Sequence, residues 1–201
     1  MNVIDINFLN KNIVYSLEES KKIFSVTKEF VEKLSKKNQS SSYYSANRKA
    51  TNALSNIRLG KLGEWIVYKF LKDGGYILEE PDTSILSGRH KSWYANLFLP
   101  EHALNVHVKS CDENTVRIVG EQSWTFQIAN TSGKGGKDIL FSGKCEEDLI
   151  ALVYVDSDAK ILRGTIVVTS PWKFLKTRLV NPLLPKYVGL KKCLNHNSLF
   201  R

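Results

Sequence analysis

Two neighbouring runs, Trp93-Tyr94-Ala95-Asn96-Leu97-Phe98-Leu99 and Leu104-Asn105-Val106-His107-Val108-Lys109-Ser110, constrain the fold more than any other part of the chain. Both read as strands, close enough in sequence to lie side by side. Side chains alternate across a strand, so the second places Asn105, His107 and Lys109 on one face and Val106 and Val108 on the other. A buried strand has no packing reason to carry a lysine at its end. A site that handles phosphate does, because an ammonium holds an anionic oxygen or a nucleophilic water.

Around this pair the periodicity predicts helices first and strands afterwards. Apolar Ile23, Val26, Phe30, Val31 and Leu34 recur at helical spacing through 17–37, and the polar, short-chained run 38–45 interrupts them. A second helix is predicted over 46–73, stopped by Gly74-Gly75, with Arg48, Lys49, Arg58 and Lys61 in its first half. Strands are predicted at 76–80, 93–99, 104–110, 116–119, 124–129, 149–156 and 164–169. The loop 131–138 is rich in glycine and lysine but lacks the Gly-x-x-x-x-Gly-Lys-Ser/Thr spacing of a phosphate-binding loop. The remainder reads as short helices and a late extended segment over the sheet. The class is α/β (α+β), a central mixed β-sheet flanked by helices. Residues 1–45 form an N-terminal helical extension, and 46–201 an α/β core with a basic C-terminal segment.

Lysine and arginine number 29 against 20 aspartate and glutamate, a net charge of +9. That balance favours a polyanionic partner, nucleic acid being the commonest, over lysines that only solvate the surface. Arg48, Lys49, Arg58, Lys61, Lys134 and Lys137 are the expected phosphate contacts. Cys111, Cys145 and Cys193 are far apart and form no C-x-x-C pair, which argues against a disulfide framework or a zinc cluster and suits a reducing cytoplasm. No basic region precedes an apolar stretch at the N-terminus, and no apolar run approaches the ~18 residues of a membrane helix. The expectation is a soluble cytoplasmic protein with no membrane partner.

The segment Gly60-Lys61-Leu62-Gly63-Glu64-Trp65-Ile66-Val67-Tyr68-Lys69-Phe70-Leu71 carries one carboxylate among apolar residues. The order helix with Glu, strand, strand, x-Lys resembles the core of the PD-(D/E)XK nuclease superfamily, over roughly residues 55–130. The resemblance implies a restriction-endonuclease-like core. In that family one strand supplies an Asp, and the next a Glu or Asp followed two residues on by a Lys. A Glu from the preceding helix is often added. The carboxylates hold magnesium, with manganese as an alternative, and the Lys orients the attacking water.

Carried over residue by residue, Glu64 matches the helix Glu, Lys109 the motif Lys, and Ser110 the small polar residue that often follows it. Pro81-Asp82 reads as the Pro-Asp pair at a long gap from Lys109, whereas strand order puts Asn96 at the Asp position. His107 stands where the second carboxylate belongs, and Gln127 matches a glutamine such nucleases place near the metal. The implied catalytic set is Lys109, Glu64, Asn96, His107 and Gln127; the implied metal ligands are Glu64, Asp82, Asn96 and His107, with Glu121 as a further source of charge. An Asn carbonyl is a weaker magnesium ligand than a carboxylate, and a His nitrogen suits manganese or zinc better.

Each residue also has a plain structural reading. Glu64 can pair with Lys61 or Tyr68 on its helix, and Asp82 can cap a turn. Asn96 can sit at an edge-strand bulge, His107 can be a satisfied half-buried histidine, and Trp124 and Phe126 can face a core. The functional expectation is a metal-dependent DNA endonuclease, restriction-like or structure-specific, that cuts duplex as a homodimer or by sequential nicks. The alternative is a catalytically inactive nuclease-fold module that binds DNA or protein, with an RNA-binding domain as a third reading.

Overall fold

The computed structural model describes residues 10–39, 50–84, 96–127, 139–142, 144–156, 160–176, 180–184 and 187–191. Arg48, Lys49, Lys134 and Lys137 lie outside them, as do residues 93–95 of the predicted strand 93–99.

The chain enters through a short strand, β1 (Lys11–Val14), and turns into helix α1 (Leu17–Gln39). A reciprocal box starts α1: Glu19 N–H donates to Ser16 Oγ at 3.2 Å, and Ser16 N–H donates to Glu19 Oε2 at 2.9 Å. Helix α2 (Ala50–Asp73) ends at the predicted glycines. Gly75 has φ +87°, which glycine adopts without strain, and Tyr76 N–H reaches back to the Leu71 carbonyl at 3.1 Å.

Strands β2 (Leu97–Leu99) and β3 (Leu104–Cys111) are the predicted neighbours, and they pair antiparallel. Then follow α3 (Glu113–Val119), β4 (Ser123–Gln127), β5 (Leu149–Asp156), β6 (Arg163–Pro171), the single turn α4 (Trp172–Leu175), β7 (Val180–Leu184) and β8 (Tyr187–Lys191). The main sheet is five-stranded, ordered β1-β6-β5-β3-β2, with β3 and β5 parallel and the other pairs antiparallel. Strands β4, β8 and β7 form a second sheet. The class is therefore the expected mixed α and β, a central mixed sheet flanked by helices.

The centre of the main sheet is buried on both faces, which explains the uninterrupted apolar run of β5. Val106, Val108, Leu149, Ala151 and Val153 join Leu62, Trp65, Ile66 and Leu71 of α2 in one core. Cys111, Ile150 and Leu152 join Trp124, Phe126, Leu140 and Trp172 in the other. The alternation expected of β3 is thus realised.

Three expectations need correction. Residues 116–119, predicted as a strand, belong to α3, because Asp112 caps its start (Thr115 N–H to Asp112 Oδ1, 2.9 Å) and Gly120 at φ +87° ends it. Residues 76–80 form no strand; Ile77 is exposed and no ladder partner lies alongside among the described residues. Within 1–45, predicted as helical, β1 is a strand that pairs with β6, Lys11 opposite Ile166.

Gly63 lets α2 press onto β3: a Cβ there would lie 1.9 Å from Ser110 Oγ and 3.1 Å from Ser110 Cβ. Alanine gains up to about 1 kcal/mol of helix propensity over glycine, but overpacking costs about 1–3 kcal/mol. The hydroxyl can rotate and the Cβ cannot, so the clash wins. Gly63→Ala is expected to lower the denaturation midpoint, and Ser110→Ala added to it to recover part of the loss. A midpoint unchanged by Gly63→Ala would mean that α2 is not in close contact with β3 here.

Candidate functional site

Helix α2 delivers one carboxylate to the sheet. Glu64 is only 3% exposed, on the α2 face that packs over β3. A buried carboxylate needs partners for both oxygens. Lys61 Nζ lies 2.8 Å from Oε2, and Asn96 Nδ2 donates to Oε1 at 2.9 Å. Asn96 stands just before β2, where the ladder to β3 runs out. Its backbone N–H donates to the Val106 carbonyl at 3.0 Å, and its Oδ1 accepts the Val108 N–H at 2.7 Å. One asparagine therefore ties the helix carboxylate to β3 at the residue before Lys109.

Burial holds the Glu64 carboxyl above the usual carboxylate range, against the opposing pull of Lys61 and Asn96; the negative charge of Asp82 adds a smaller upward push. Asp82 is exposed, and its Oδ1 accepts the Ser84 N–H at 2.7 Å, so it also closes the turn expected of it.

The other candidates lie on the opposite face of β3. His107 is 5% exposed, with Nε2 2.9 Å from Asp148 Oδ2. An ionised carboxylate only accepts, so Nε2 carries the proton in this pair. Asn105 Nδ2 donates to Asp148 Oδ1 at 3.2 Å. Lys109 Nζ lies 5.1 Å from the centre of the Phe126 ring, a cation–π distance. Gln127 closes β4 opposite Tyr187.

The predicted residues thus form two groups. Glu64, Asp82 and Asn96 gather at the end of β2, while His107 and Lys109 face the second core. From sequence, Asp148 has no assigned role and Cys145 counts only as one of three scattered cysteines. The available signal was Cys145-Glu146-Glu147-Asp148, a polar turn running directly into the apolar strand beside β3. Of the expected phosphate contacts, Lys61 is engaged with Glu64 and lies 5.5 Å from the Phe30 ring centre, whereas Arg58 is exposed over Phe24. A pocket of about 180 Å³, lined among others by Tyr15, Trp65, Tyr68 and Lys69, contains none of the predicted residues. Among the described residues no helix is long and apolar enough to cross a membrane.

Comparison of the chain with protein-family models, with curated proteins and with solved structures gives no match.

The raised Glu64 carboxyl has a consequence for stability. Between the ordinary carboxylate pKa and the raised one, the folded chain keeps a proton that the unfolded chain has released. Stability therefore falls as pH climbs through that window. Glu64→Gln removes this titration, so the stability of the wild-type chain minus that of the variant should decline as pH rises through the window, followed by denaturation at a series of pH values. A flat difference would mean that Lys61 and Asn96 offset burial in full.

Proposed function

We propose that the chain is a divalent-metal-dependent phosphodiester hydrolase acting on DNA, of the PD-(D/E)XK kind. One observation carries the reading. The buried Glu64 carboxylate is joined through Asn96 to β3 at Val108, so the helix glutamate and the residue before β2 meet at the strand whose next residue is Lys109, although the Lys109 side chain lies on the other face. The net charge of +9 supports a polyanionic substrate.

Oxygens of Glu64 and Asp82 with the Asn96 amide are hard donors, the class that suits magnesium. Their fit is seen at Glu64: burial and, to a smaller degree, the charge of Asp82 hold its carboxyl above the usual carboxylate range, a load that a cation would relieve. Such an ion would polarise the scissile phosphate and supply a nucleophile at neutral pH. Asn96 fixes the position of Glu64, and Lys109 stabilises charge on the phosphate or its attacking water. Duplex cleavage by this single site would take a homodimer or successive nicks.

A second reading, a nuclease-fold module that binds DNA without cutting it, is favoured by the same asparagine. Both ends of its amide are occupied, and Lys61 and Asn96 already satisfy Glu64 with N–H donors where an active site would hold a cation.

Incubating the protein with supercoiled, linear, single-stranded and branched DNA in magnesium or manganese separates the two. Lys109→Ala should lower cleavage by about 10²–10⁴-fold while leaving fold and DNA binding nearly intact. Normal cleavage by the variant, or its unfolding, would sink the assignment.

Asn96→Asp replaces the donor facing Glu64 with a carboxylate. Magnesium should then bind more tightly by calorimetry and plasmid nicking should rise, while the metal-free chain melts lower because two carboxylates oppose each other. If neither binding nor nicking changes, Asn96 is not at the metal position, and Asp82→Asn in the same assays tests the remaining candidate.

A further inference from the structure

We propose that His107, Cys145 and Asp148 form a binding site for a thiophilic divalent cation of the zinc class, separate from the oxygen donors around Glu64. The turn comes first. Asp148 N–H donates to the Cys145 carbonyl at 3.1 Å, which closes Cys145-Glu146-Glu147-Asp148 into a tight bend. That is the two-residue gap from which paired ligands of structural zinc sites converge. The bend is braced from α4: Trp172 N–H donates to the Asp148 carbonyl at 2.8 Å, and Lys173 N–H to the Glu146 carbonyl at 3.0 Å.

The third ligand comes from the neighbouring strand. The parallel register sets His107 opposite Ile150, two residues beyond Asp148. The donor atoms of His107, Cys145 and Asp148 all lie within 4.8 Å of one another. Tetrahedral zinc asks for donor separations of about 3.3–3.6 Å, so a pair 4.8 Å apart must close by about 1.2–1.5 Å.

Chemistry selects the ion. A thiolate and an imidazole prefer zinc, cobalt or copper to magnesium, and the carboxylate completes a set typical of three-ligand zinc sites. Thiolate and carboxylate together neutralise a divalent charge, which matters where His107 is 5% and Cys145 6% exposed. Asn105 holds Asp148 Oδ1, orienting the carboxylate as outer-shell partners of metal ligands do. Sulfur ligates as the thiolate, so binding at Cys145 displaces its thiol proton. A fourth position is left for water or an anionic oxygen, on the sheet face that also carries Lys109.

The test uses the full chain, reduced and metal-free, titrated with Co²⁺. The expected result is saturation at one ion per chain with a sulfur-to-cobalt charge-transfer band. Zinc should displace the cobalt, and excess magnesium should not. The band should vanish in Cys145→Ala and His107→Ala and survive in Cys111→Ala and Glu64→Gln. Should Cys145→Ala not fold, zinc-dependent melting decides: zinc should raise the melting temperature of the wild-type chain and not that of Asp148→Asn or His107→Ala. Cobalt bound without a sulfur band, a band that persists in Cys145→Ala, or a zinc shift retained in both other variants overturns the proposal. Loss of nuclease activity alone does not, because the sulfur band reports only on this site.

Discussion

Burial of β3 on both faces is the constraint from which the rest of the structure follows. β5 beside it meets the same condition with an almost purely apolar sequence. β3 does not, since Asn105, His107, Lys109 and Ser110 are all polar. A buried polar group left without a partner costs about 1–3 kcal/mol; neighbouring elements answer Asn105, His107 and Lys109, while Ser110 Oγ, pressed against Gly63, has no hydrogen-bond partner. Asp148 accepts from Asn105 and pairs with His107. The Phe126 ring lies under the Lys109 ammonium. The short β2 ends before it can pair with Val108, and the Asn96 side chain supplies the acceptor that the ladder no longer provides.

What could be read from the sequence was what is local. Alternation sorted β3 into its two faces because strand geometry enforces that sorting wherever the strand pairs. Gly74-Gly75 ended α2 because only a left-handed residue completes the backbone bonds that close it. The helix at 116–119 is also set locally: Val116, Ile118 and Val119 favour a strand, but the caps at Asp112 and Gly120, outside that run, decide for a helix. Non-local pairing carried no such signal. β1 has only four residues and finds its partner far along the chain. Asp148 meets His107 only through the parallel register of β3 with β5, which neither segment announces by itself.

The two polar groups beside β3 differ in how their charge is answered. Glu64 is a hard oxygen ligand whose neighbours are N–H donors, so one ammonium and one amide do there what a cation would do. This removes Lys61 from the cations free to meet a phosphate backbone. Arg58, exposed one turn earlier on α2, remains available. The His107 group is of another kind, because its donors are nitrogen, oxygen and sulfur and it sits among the aromatic side chains of the second core.

These groups are linked by register. Val108 N–H is bound by Asn96 on one side, while the residues flanking it, His107 and Lys109, reach Asp148 and Phe126 on the other. A slip of β3 by one residue would exchange its faces. His107 would then point at α2, where Gly63 leaves no room even for a methyl group beside Ser110, and Val106 or Val108 would lie against the Asp148 carboxylate. An apolar β3 could tolerate such a slip at modest cost; this one could not, because Asn105, His107 and Lys109 would lose Asp148 and Phe126. The polar residues that make the strand expensive to bury therefore also specify where it sits, and with it the placement of Asn96 between Glu64 and Val108.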